Sequence, residues 1–287
     1  MKLGVLCSGN LGLHVLKQLA SKHPISFVFT DSGSNGVIDY CKSQGLPIFI
    51  GNPRNLSTKE FLSSSSCDVL LSVNYLFIIE DELITFPKKY AINIHGSLLP
   101  KYRGRTPHVW AIINNEKKTG ITAHLIDSGC DTGDIVEQIE VDISLEDTGA
   151  SILNKFNELY LPLIKSVLDK IQVNQIAPKP QDHSKATYFG KRTPEDGMIN
   201  WSWQKERIFN WVRAQAYPYP GAFTYANGTK LTIDSVSYTE DGFDYQTPNG
   251  AVISINPLKV KTPNGVVLIK SHRESIEDLV STKTVLE

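Results

Sequence analysis

An asparagine and a histidine stand two residues apart at the end of a predicted strand, in the stretch Ala-Ile-Asn-Ile-His-Gly. Because alternate side chains of a strand point to the same side, Asn93 and His95 are expected to project from one face of a sheet. An amide can stabilise negative charge that develops in a reaction, and an imidazole can move a proton near neutral pH. Buried amides and imidazoles each need hydrogen-bond partners, so a satisfied pair in the core explains these two residues equally well.

A carboxylate that could join them is Asp131, which lies between glycines in a polar segment after another predicted strand. If the two strands are parallel, their carboxyl ends lie at one rim of the sheet, where open α/β sheets bind ligands. This placement favours a site built from Asn93, His95 and Asp131. The alternative is that Asp127, Asp131 and Asp134 are ordinary turn formers with solvated charges.

The first predicted strand leads into a glycine-containing loop, Cys-Ser-Gly-Asn-Leu-Gly, at residues 7–12, and Asp31 ends the second strand. This arrangement is similar to a dinucleotide fingerprint, in which glycines admit the pyrophosphate and an acidic residue binds ribose. Cys7 stands where the fingerprint has its first glycine, which weakens the hypothesis of an NAD-binding oxidoreductase. The loop can still hold another phosphate or a sugar, because the amides that open a helix attract anions. The residues predicted to contact a sugar are Ser8, Gly9 and Asn10.

Short apolar runs alternate with helical patterns through the first half of the chain. Each strand of a parallel sheet is covered on both faces and is therefore continuously apolar. The alternation predicts an α/β fold with a doubly wound, mostly parallel sheet that carries the polar residues at its rim. The predicted strands are 3–6, 25–29, 47–50, 68–73, 91–94 and 121–126.

A long amphipathic helix is predicted from Ile152 to Ile171, with a bend at Pro162. The periodicity then stops, and residues 173–187 are interpreted as a polar linker. From about residue 222, short alternating strands surround turn dipeptides such as Asn-Gly, which predicts a small all-β domain. The expected domains are a catalytic domain over 1–175, a linker over 176–200 and a C-terminal β-barrel-like domain over 201–287.

The composition excludes several classes of protein. The chain has 287 residues, of which 41% are hydrophobic and 21% charged, close to globular averages and unlike disordered or collagen-like chains. Its 29 Lys and Arg against 30 Asp and Glu give a net charge of −1, without the basic excess that nucleic-acid binding favours. We therefore expect no nucleic-acid partner.

The expected location is the cytoplasm. The longest apolar run, 69–79, is interrupted by polar residues and is shorter than the ~20 residues that span a bilayer, so no membrane partner is expected. The four cysteines are widely spaced, with no Cys-x-x-Cys pair and no clustered histidines. Reduced thiols and no metal site are the resulting prediction.

Two long motifs carry a resemblance to a known family. The first is Asn-x-His-Gly-Ser-Leu-Leu-Pro-x-Tyr-Arg-Gly-x-x-Pro from residue 93, and the second is Asp-x-Gly-x-Asp-Thr-Gly-Asp from residue 127. With further matches over 188–196, 208–223 and 250–265, they resemble the formyltransferases that use 10-formyltetrahydrofolate. The resemblance implies a Rossmann-like catalytic domain, a small OB-like C-terminal domain, 10-formyltetrahydrofolate as the co-substrate and no metal.

By this resemblance, Asn93, His95 and Asp131 form a catalytic triad. The Asn93 amide and the His95 ring would stabilise the negative charge on the formyl oxygen as an amine attacks. His95 would also move the proton, while Asp131 orients the ring and favours its cationic form. The positions that correspond to the family's folate-binding loops include Tyr75, Phe77, Ile78 and Asp127.

The resemblance leaves three acceptors open: methionyl-tRNA, a nucleotide-linked amino sugar and a glycinamide nucleotide. The tRNA enzymes carry a basic loop after the second strand, whereas residues 29–37 contain no Lys or Arg. Glycinamide enzymes generally lack the second domain. The sugar N-formyltransferases are the best match, through Lys-Tyr-Arg-Gly-Arg at 101–105 and Phe-Gly-Lys-Arg-Thr-Pro at 189–194. By this resemblance a UDP- or dTDP-linked 4-amino-4,6-dideoxy sugar is expected, with methionyl-tRNA as the alternative.

A nucleotide diphosphate needs cations, and its base needs an aromatic shelf. The residues predicted to bind the substrate are Lys101, Arg103 and Arg105, together with Tyr217 for the base. Tyr217 stands beside Pro218, so a role in sealing the domain junction is the alternative. The family further implies a homodimer through the C-terminal domain and a product used in lipopolysaccharide and O-antigen biosynthesis.

Overall fold

The structure is a computed structural model that describes residues 1–54, 56–277 and 279–287. The chain folds into two compact units, each assembled from separate stretches of sequence. The first unit contains Met1–Gly104, Gly120–Val141 and Lys155–Tyr188, and the second contains Arg105–Thr119, Asp142–Asn154 and Phe189–Glu287. The domain limits predicted at residues 175 and 200 stay predictions.

The first unit is built on a seven-stranded sheet with the order β3-β2-β1-β4-β5-β7-β8. Strands β1 to β5 pair in parallel, and β7 runs antiparallel to β5. All six predicted strands are confirmed. The seven strands are β1 (Leu3–Cys7), β2 (Ile25–Thr30), β3 (Ile48–Ile50), β4 (Val69–Val73), β5 (Tyr90–His95), β7 (Lys118–Leu125) and β8 (Ile135–Asp142). The short strand β6 (Arg103–Gly104) lies outside this sheet.

Strand β8 lies at one edge of this sheet and has no counterpart among the sequence predictions. Its residues alternate between half-buried and exposed, because an edge strand has fewer neighbours to cover it. By contrast, every residue of β1 and β4, in the middle of the sheet, is buried. Continuous apolar runs therefore predicted the central strands. The alternating polar residues of β8 gave no such run, so this edge strand was missed.

Helices connect the parallel strands as a doubly wound fold requires. Helix α1 places Val15, Leu16 and Leu19 in the core, as the helical spacing of apolar residues predicts. Helix α6 continues through Pro162. The helices are α1 (Gly9–Ala20), α2 (Asn35–Ser43), α3 (Leu56–Leu62), α4 (Asp81–Ile84), α5 (Pro107–Ile113), α6 (Gly149–Gln172) and α7 (Lys205–Ala214).

Aromatic rings fill the core of the first unit beneath β2. Phe27 and Phe29 are fully buried and meet edge to face, with ring centroids 5.7 Å apart. Phe86 packs on Phe27 at 5.5 Å, and Phe49 stacks on Phe29 at 4.9 Å. Offset and edge-on pairs of this kind add to the stabilisation that burial of the rings supplies.

The segment 173–187, interpreted from sequence as a polar linker, is part of the first unit. Ile135 and Lys179 exchange two backbone hydrogen bonds of 2.8 Å, and Gln181 is buried with 5% of its surface exposed. The segment then reaches β9 (Tyr188–Phe189), which pairs with β6. Its polar residues are hydrogen-bonded to the protein, which composition alone does not reveal.

The second unit carries a five-stranded antiparallel sheet with the order β10-β11-β14-β13-β12. The predicted Asn227-Gly228 turn joins β10 to β11, and both residues have positive φ, 49° and 77°. These angles are those of the hairpin turn that Asn-Gly favours. The all-β prediction is confirmed, with strands β10 (Ala222–Ala226), β11 (Thr229–Tyr238), β12 (Val252–Ile255), β13 (Leu258–Thr262) and β14 (Gly265–His272).

Tryptophans pack the helical part of the second unit. Trp201 and Trp211 are 4% and 8% exposed, and each donates its indole N–H to a protein oxygen. The Arg192 guanidinium lies 4.4 Å from the ring centroid of Trp211 and 4.9 Å from that of Trp110, as cation–π pairs do. In the described ranges, none of the helices combines the length and apolarity needed to cross a bilayer.

A buried histidine lies in α5 of the second unit. His108 is 8% exposed, and its Nε2 atom lies 2.9 Å from the hydroxyl of Tyr219. Burial raises the pKa of Tyr219 to about 12, so the phenol keeps its proton beside the ring nitrogen. Burial also lowers the pKa of His108 from 6.5 to about 4, since the cation loses its hydration.

From the lowered pKa of His108 we predict that the folded protein loses stability in mild acid. Between pH 6.5 and 4 the unfolded chain binds a proton at His108 that the folded chain does not, so the free energy of unfolding falls as the pH falls, by about 3 kcal/mol over the window. His108→Gln keeps an acceptor for Tyr219 but cannot titrate, and should flatten the pH dependence measured by urea unfolding. The control is His14→Gln, at an exposed position of α1. Equal slopes for the wild type and His108→Gln contradict the prediction.

Candidate active site

Three polar side chains meet on one face of the sheet, where β5 pairs with β7. Asn93 and His95 are two residues apart in β5, so they project to the same side. The antiparallel register places Asn93 opposite His124 and His95 opposite Thr122. Residues directly opposite one another share a face, so His124 joins the two predicted side chains.

Asp131 reaches this face by a route that differs from the expected one. The sequence prediction rested on parallel strands whose carboxyl ends share a rim, but β7 is antiparallel to β5. Its carboxyl end therefore lies at the other end of β5 from His95. The segment between β7 and β8 returns across the face and brings the Asp131 carboxylate to His95. The predicted proximity is observed, and the predicted reason for it is wrong.

The Asp131 carboxylate lies beside two histidine rings, one at each oxygen. Its Oδ2 atom lies 3.5 Å from His95 Nδ1, and its Oδ1 atom lies 3.6 Å from His124 Nε2. The amide nitrogen of Asn93 lies 3.2 Å from the same Nε2 atom of His124. The structure thus brings together Asn93, His95 and Asp131 and adds His124 as a residue that contacts two of them.

Main-chain carbonyls fix the proton positions on both rings. His95 Nε2 donates to the carbonyl oxygen of Tyr102 at 2.8 Å, and His124 Nδ1 donates to that of Leu125 at 2.7 Å. A carbonyl can only accept, so each of these nitrogens carries hydrogen. In the neutral ring of His124, Nε2 is then an acceptor for the Asn93 amide. The amide has two hydrogens, and the second can donate to a reacting oxygen.

Asp131 is held as an anion. Its side chain is 14% exposed, and burial alone raises the pKa of the carboxyl group. The neighbouring His95 ring and the hydrogen bond from the backbone N–H of Gly104, at 2.8 Å, outweigh that effect. Together they bring the pKa well below its ordinary value, so the group stays ionised at neutral pH.

His95 is buried, with 7% of its surface exposed, and burial lowers the pKa of its ring. The Asp131 carboxylate and the hydrogen bond to Tyr102 act in the opposite direction and raise that pKa. The resulting pKa lies below 6.5, so the ring is neutral at neutral pH and can accept a proton beside a fixed negative charge. Such a group suits proton transfer.

The sheet places two polar loops beside this face. Cys7 is in register with Val73, and Val73 with Ile94, across three neighbouring parallel strands. The residues that follow them at the rim are Ser8, Asn74 and His95. Asn74 also donates from its amide to the carbonyl oxygen of Ser8 at 3.1 Å, which ties the first two loops together.

The structure of the loop after β1 does not favour the hypothesis that this loop binds a dinucleotide. Cys7 is fully buried, and burial raises the pKa of its thiol to about 12, so it acts as an apolar core residue. Asp31 accepts the Gly33 N–H and the Ser34 hydroxyl, and hydrogen bonds from Ser34 and Ser8 lower its pKa against the effect of burial. This carboxylate is therefore used to close its own turn. Ser8 is 2% exposed, whereas Gly9 and Asn10 are exposed.

The predicted folate residues lie on two loops of the first unit. Tyr75 and Phe77 meet with ring centroids 5.6 Å apart after β4, and Ile78 is 62% exposed. The Tyr75 hydroxyl is buried and is one of the few buried side-chain atoms of the described chain that lack a hydrogen-bond partner. Asp127 follows β7 and accepts hydrogen bonds from Gly129 and Thr132 with one oxygen, as a turn former does.

The predicted substrate residues are divided between the units. Lys101 is exposed in the first unit, and Arg105 and Tyr217 are exposed in the second. Arg103 is 1% exposed, and its guanidinium donates to the side chain of Gln181. This guanidinium is fully buried against an internal acceptor, and its predicted contact with a diphosphate stays a prediction.

His124 is the residue of this site that sequence reasoning missed. It stands three residues before Asp127 in the apolar run Ile-Thr-Ala-His-Leu, where one polar ring is an anomaly. That anomaly was the available signal. Its partner Asn93 could not be assigned without knowing that β7 pairs with β5.

Two families match the chain in succession. The family described as formyl transferase matches residues 8–168. The family described as formyl transferase, C-terminal domain, matches residues 191–286. The first match includes Asn93, His95, His124 and Asp131.

Solved structures share the fold of the whole chain. The N-formyltransferase from Helicobacter canadensis, in complex with folinic acid and dTDP-3-aminofucose, has 20% identity and a TM-score of 0.73, covering 94% of this chain and 98% of its own. WlaRD, a sugar 3N-formyl transferase solved in the presence of dTDP and 5-N-formyl-THF, has 20% identity and a TM-score of 0.70, covering 96% and 98%. HypX from Aquifex aeolicus, with tetrahydrofolic acid, has 18% identity and a TM-score of 0.63, covering 96% and 44%. At these identities the likeness shows a common fold.

The electrostatics of the site predict how His95 titrates. Because the Asp131 charge raises the pKa of His95, Asp131→Asn should lower that pKa further below 6.5. The measurement is an NMR titration of the His95 ring in labelled protein. Asp134→Asn is the control, since it removes one carboxylate from the same loop. A His95 pKa that rises or stays constant in Asp131→Asn contradicts the assignment of this pair.

Proposed function

The chain belongs to the formyl transferase family, and we propose that it transfers a formyl group from 10-formyltetrahydrofolate to the amine of a nucleotide-linked deoxyamino sugar. The observation that carries the proposal is the contact of Asn93, His124, Asp131 and His95 on one sheet face, beside the loops at Ser8 and Asn74. An amide donor, an ionised carboxylate and a neutral imidazole are the groups that amine formylation needs.

The co-substrate supplies a formyl carbon bonded to a nitrogen, and the amine nitrogen of the acceptor takes the place of that nitrogen. Negative charge develops on the formyl oxygen during the exchange. The second amide hydrogen of Asn93 can donate to this oxygen, because the first is directed at His124. Removing one such donor typically slows a reaction about 10²–10³-fold.

His95 handles the proton in this proposal. The attacking amine must lose a proton, and the departing nitrogen must gain one. The neutral ring accepts the amine proton at Nδ1, the nitrogen that lies 3.5 Å from Asp131, and then gives that proton to the departing nitrogen. The carboxylate stabilises the cation formed, and the hydrogen bond to Tyr102 holds the ring in place. This step is the one to which the prediction from sequence applies, that Asp131 favours the cationic form of His95.

The residues after β4 suit a flat, partly polar pterin ring. Tyr75 and Phe77 form an aromatic pair, and Ile78 adds exposed apolar surface. The buried hydroxyl of Tyr75 is a polar group in that apolar setting. We assign Tyr75, Phe77 and Ile78 to the folate, with Asp127 contributing its second oxygen from the loop after β7.

Ser8, Gly9 and Asn10 are assigned to the sugar, since the carboxyl end of β1 lies at the same rim as His95, with β4 between the two strands. Lys101 and Arg105 are assigned to the diphosphate and Tyr217 to the base, because each is exposed. The Helicobacter canadensis enzyme binds dTDP-3-aminofucose, and WlaRD was solved with dTDP, which supports a nucleotide-linked sugar. Our expected acceptor remains a UDP- or dTDP-linked 4-amino-4,6-dideoxy sugar.

Charge argues against the tRNA alternative. The connection from β2 to α2 spans only residues 31–34 and contains no cation. With a net charge of −1, the chain lacks the basic surface that an RNA backbone attracts. We further propose that the enzyme acts in the cytoplasm as a homodimer through its C-terminal unit, and that its product enters lipopolysaccharide or O-antigen synthesis.

An acceptor panel tests the proposed function. Purified enzyme with 10-formyltetrahydrofolate should formylate a dTDP- or UDP-linked amino sugar and leave methionyl-tRNA unchanged, with the products resolved by mass spectrometry. Amines at sugar carbons 3 and 4 are separate arms. His95→Asn should lower kcat about 10²–10⁴-fold, and His14→Asn, at an exposed position, should not. Formylation of tRNA alone would refute the sugar assignment.

Tyr217 provides a test of base recognition. Its ring is 77% exposed, and stacking on a base is worth about 1–3 kcal/mol. Tyr217→Ala should therefore raise the KM for the nucleotide sugar about tenfold and leave the KM for the formyl donor unchanged. Tyr245→Ala is the matched control, because this tyrosine is 83% exposed. Equal effects of the two substitutions count against the assigned contact.

A further inference from the structure

The side chain of Gln181 hydrogen-bonds to the main chain of the loop that carries Asp131, at Asp131 itself and at Gly133. Its amide nitrogen donates to the carbonyl oxygens of Asp131 at 2.9 Å and Gly133 at 2.7 Å. The side chain is buried, with 5% of its surface exposed. Both amide hydrogens are thus spent on the loop that carries the carboxylate.

Arg103 decides which way this amide points. Its Nε and Nη2 atoms donate to Gln181 Oε1 at 3.2 and 2.6 Å. Arginine has no acceptor, so the amide oxygen must face the guanidinium and the NH₂ group must face the loop. The remaining donors of Arg103 meet the Tyr188 hydroxyl at 2.5 Å and His183 Nδ1 at 3.1 Å. The orientation of Gln181 is therefore fixed by charge.

The residue that follows Arg103 in the chain binds the side chain of the same aspartate. The N–H of Gly104 donates to Asp131 Oδ2 at 2.8 Å. Gln181 thus holds the main chain of Asp131, and Gly104 holds its side chain. Both contacts depend on Arg103. Its guanidinium orients Gln181, and its peptide bond links it directly to Gly104.

The held loop has a conformation that needs support. Asp131 has a φ of 54°, in the left-handed region that few residues with side chains adopt. A Cβ atom on Gly133 would lie 1.9 Å from the carbonyl oxygen of Leu125, so the loop passes against β7 with no space to spare. Strained residues persist where surrounding contacts over-determine them, and here Gln181 provides two of those contacts.

We infer that Gln181 is a positioning residue for Asp131, oriented by Arg103, and that this pair sets where the carboxylate stands relative to His95. The inference deepens the proposed function and rests on it for its kinetic readout. It assigns Arg103, predicted from sequence to bind phosphate, to the support of the catalytic carboxylate. No contact of Gln181 with either substrate is involved.

Gln181→Glu is the direct test. Glutamate still accepts from Arg103 but cannot donate to the two loop carbonyls. We expect kcat to fall about 10–100-fold, the usual effect of losing a residue that orients a reacting group, with both KM values within about threefold. The control is Gln172→Glu, the same change at the exposed end of α6. Wild-type kcat in Gln181→Glu overturns the inference.

A double substitution separates positioning from a general structural effect. If Gln181 acts through Asp131, Gln181→Glu should slow the enzyme no further once Asp131→Ala is present. Rate losses that multiply in full show that Gln181 does not act through Asp131. If Gln181→Glu fails to fold, Arg103→Met/Gln181→Met replaces both partners with apolar groups, which leaves neither one unpaired. The same loss of kcat is expected from it.

Hydrogen exchange provides a readout that needs no substrate. The Gly104 amide is protected by its bond to Asp131, so displacing the carboxylate in Gln181→Glu should speed its exchange about tenfold. Exchange at the wild-type rate overturns the inference even if the enzyme is slower. Should the wild type formylate no acceptor in the panel, the proposed function fails while the exchange result still decides the role of Gln181.

Discussion

A single buried negative charge, the carboxylate of Asp131, is the interaction around which the active site is assembled. A buried ion is costly unless charges and hydrogen bonds compensate it. Here two histidine rings and one backbone N–H surround it, and each comes from a different stretch of the first unit. The fold therefore brings β5, β7 and the residues after β5 to one point, and the charge that they stabilise is the one that prepares His95 to take up a proton.

The pairing of the strands determines what this charge can reach. Because β7 is antiparallel to β5, His124 lies opposite Asn93 and can orient its amide. The parallel strands on the other side of β5 bring Ser8 and Asn74 to the same rim as His95. The polar side chains of β5 and β7 and the loops at Ser8 and Asn74 lie along one sheet because the sheet has both parallel and antiparallel pairs. In a wholly parallel sheet the strand ends would still share a rim, but His124 would not lie opposite Asn93.

The scaffold alone does not choose the acceptor. Sugar N-formyltransferases and HypX share this fold at 18–20% identity, although what their structures hold differs. Exposed side chains are where such a choice can differ between proteins of one fold, because the core serves stability. In this chain Lys101, Arg105 and Tyr217 are exposed, and the connection at 31–34, whose one charged residue is Asp31, offers an RNA backbone no cation.

By itself the sequence determined the central strands, helices α1 and α6 and the all-β C-terminal sheet, and it brought forward Asn93, His95 and Asp131 as candidate site residues through two motifs that resemble a known family. These follow from local periodicity and from motif spacing, which the neighbouring residues alone establish. The direction of β7, the role of His124 and the burial of Arg103 against Gln181 were decided by the tertiary structure. Each depends on which distant segments pair, and a polar residue has the same letter whether it faces solvent or a buried partner. Arg103 could be assigned only when its acceptor, 78 positions later in the chain, was in place.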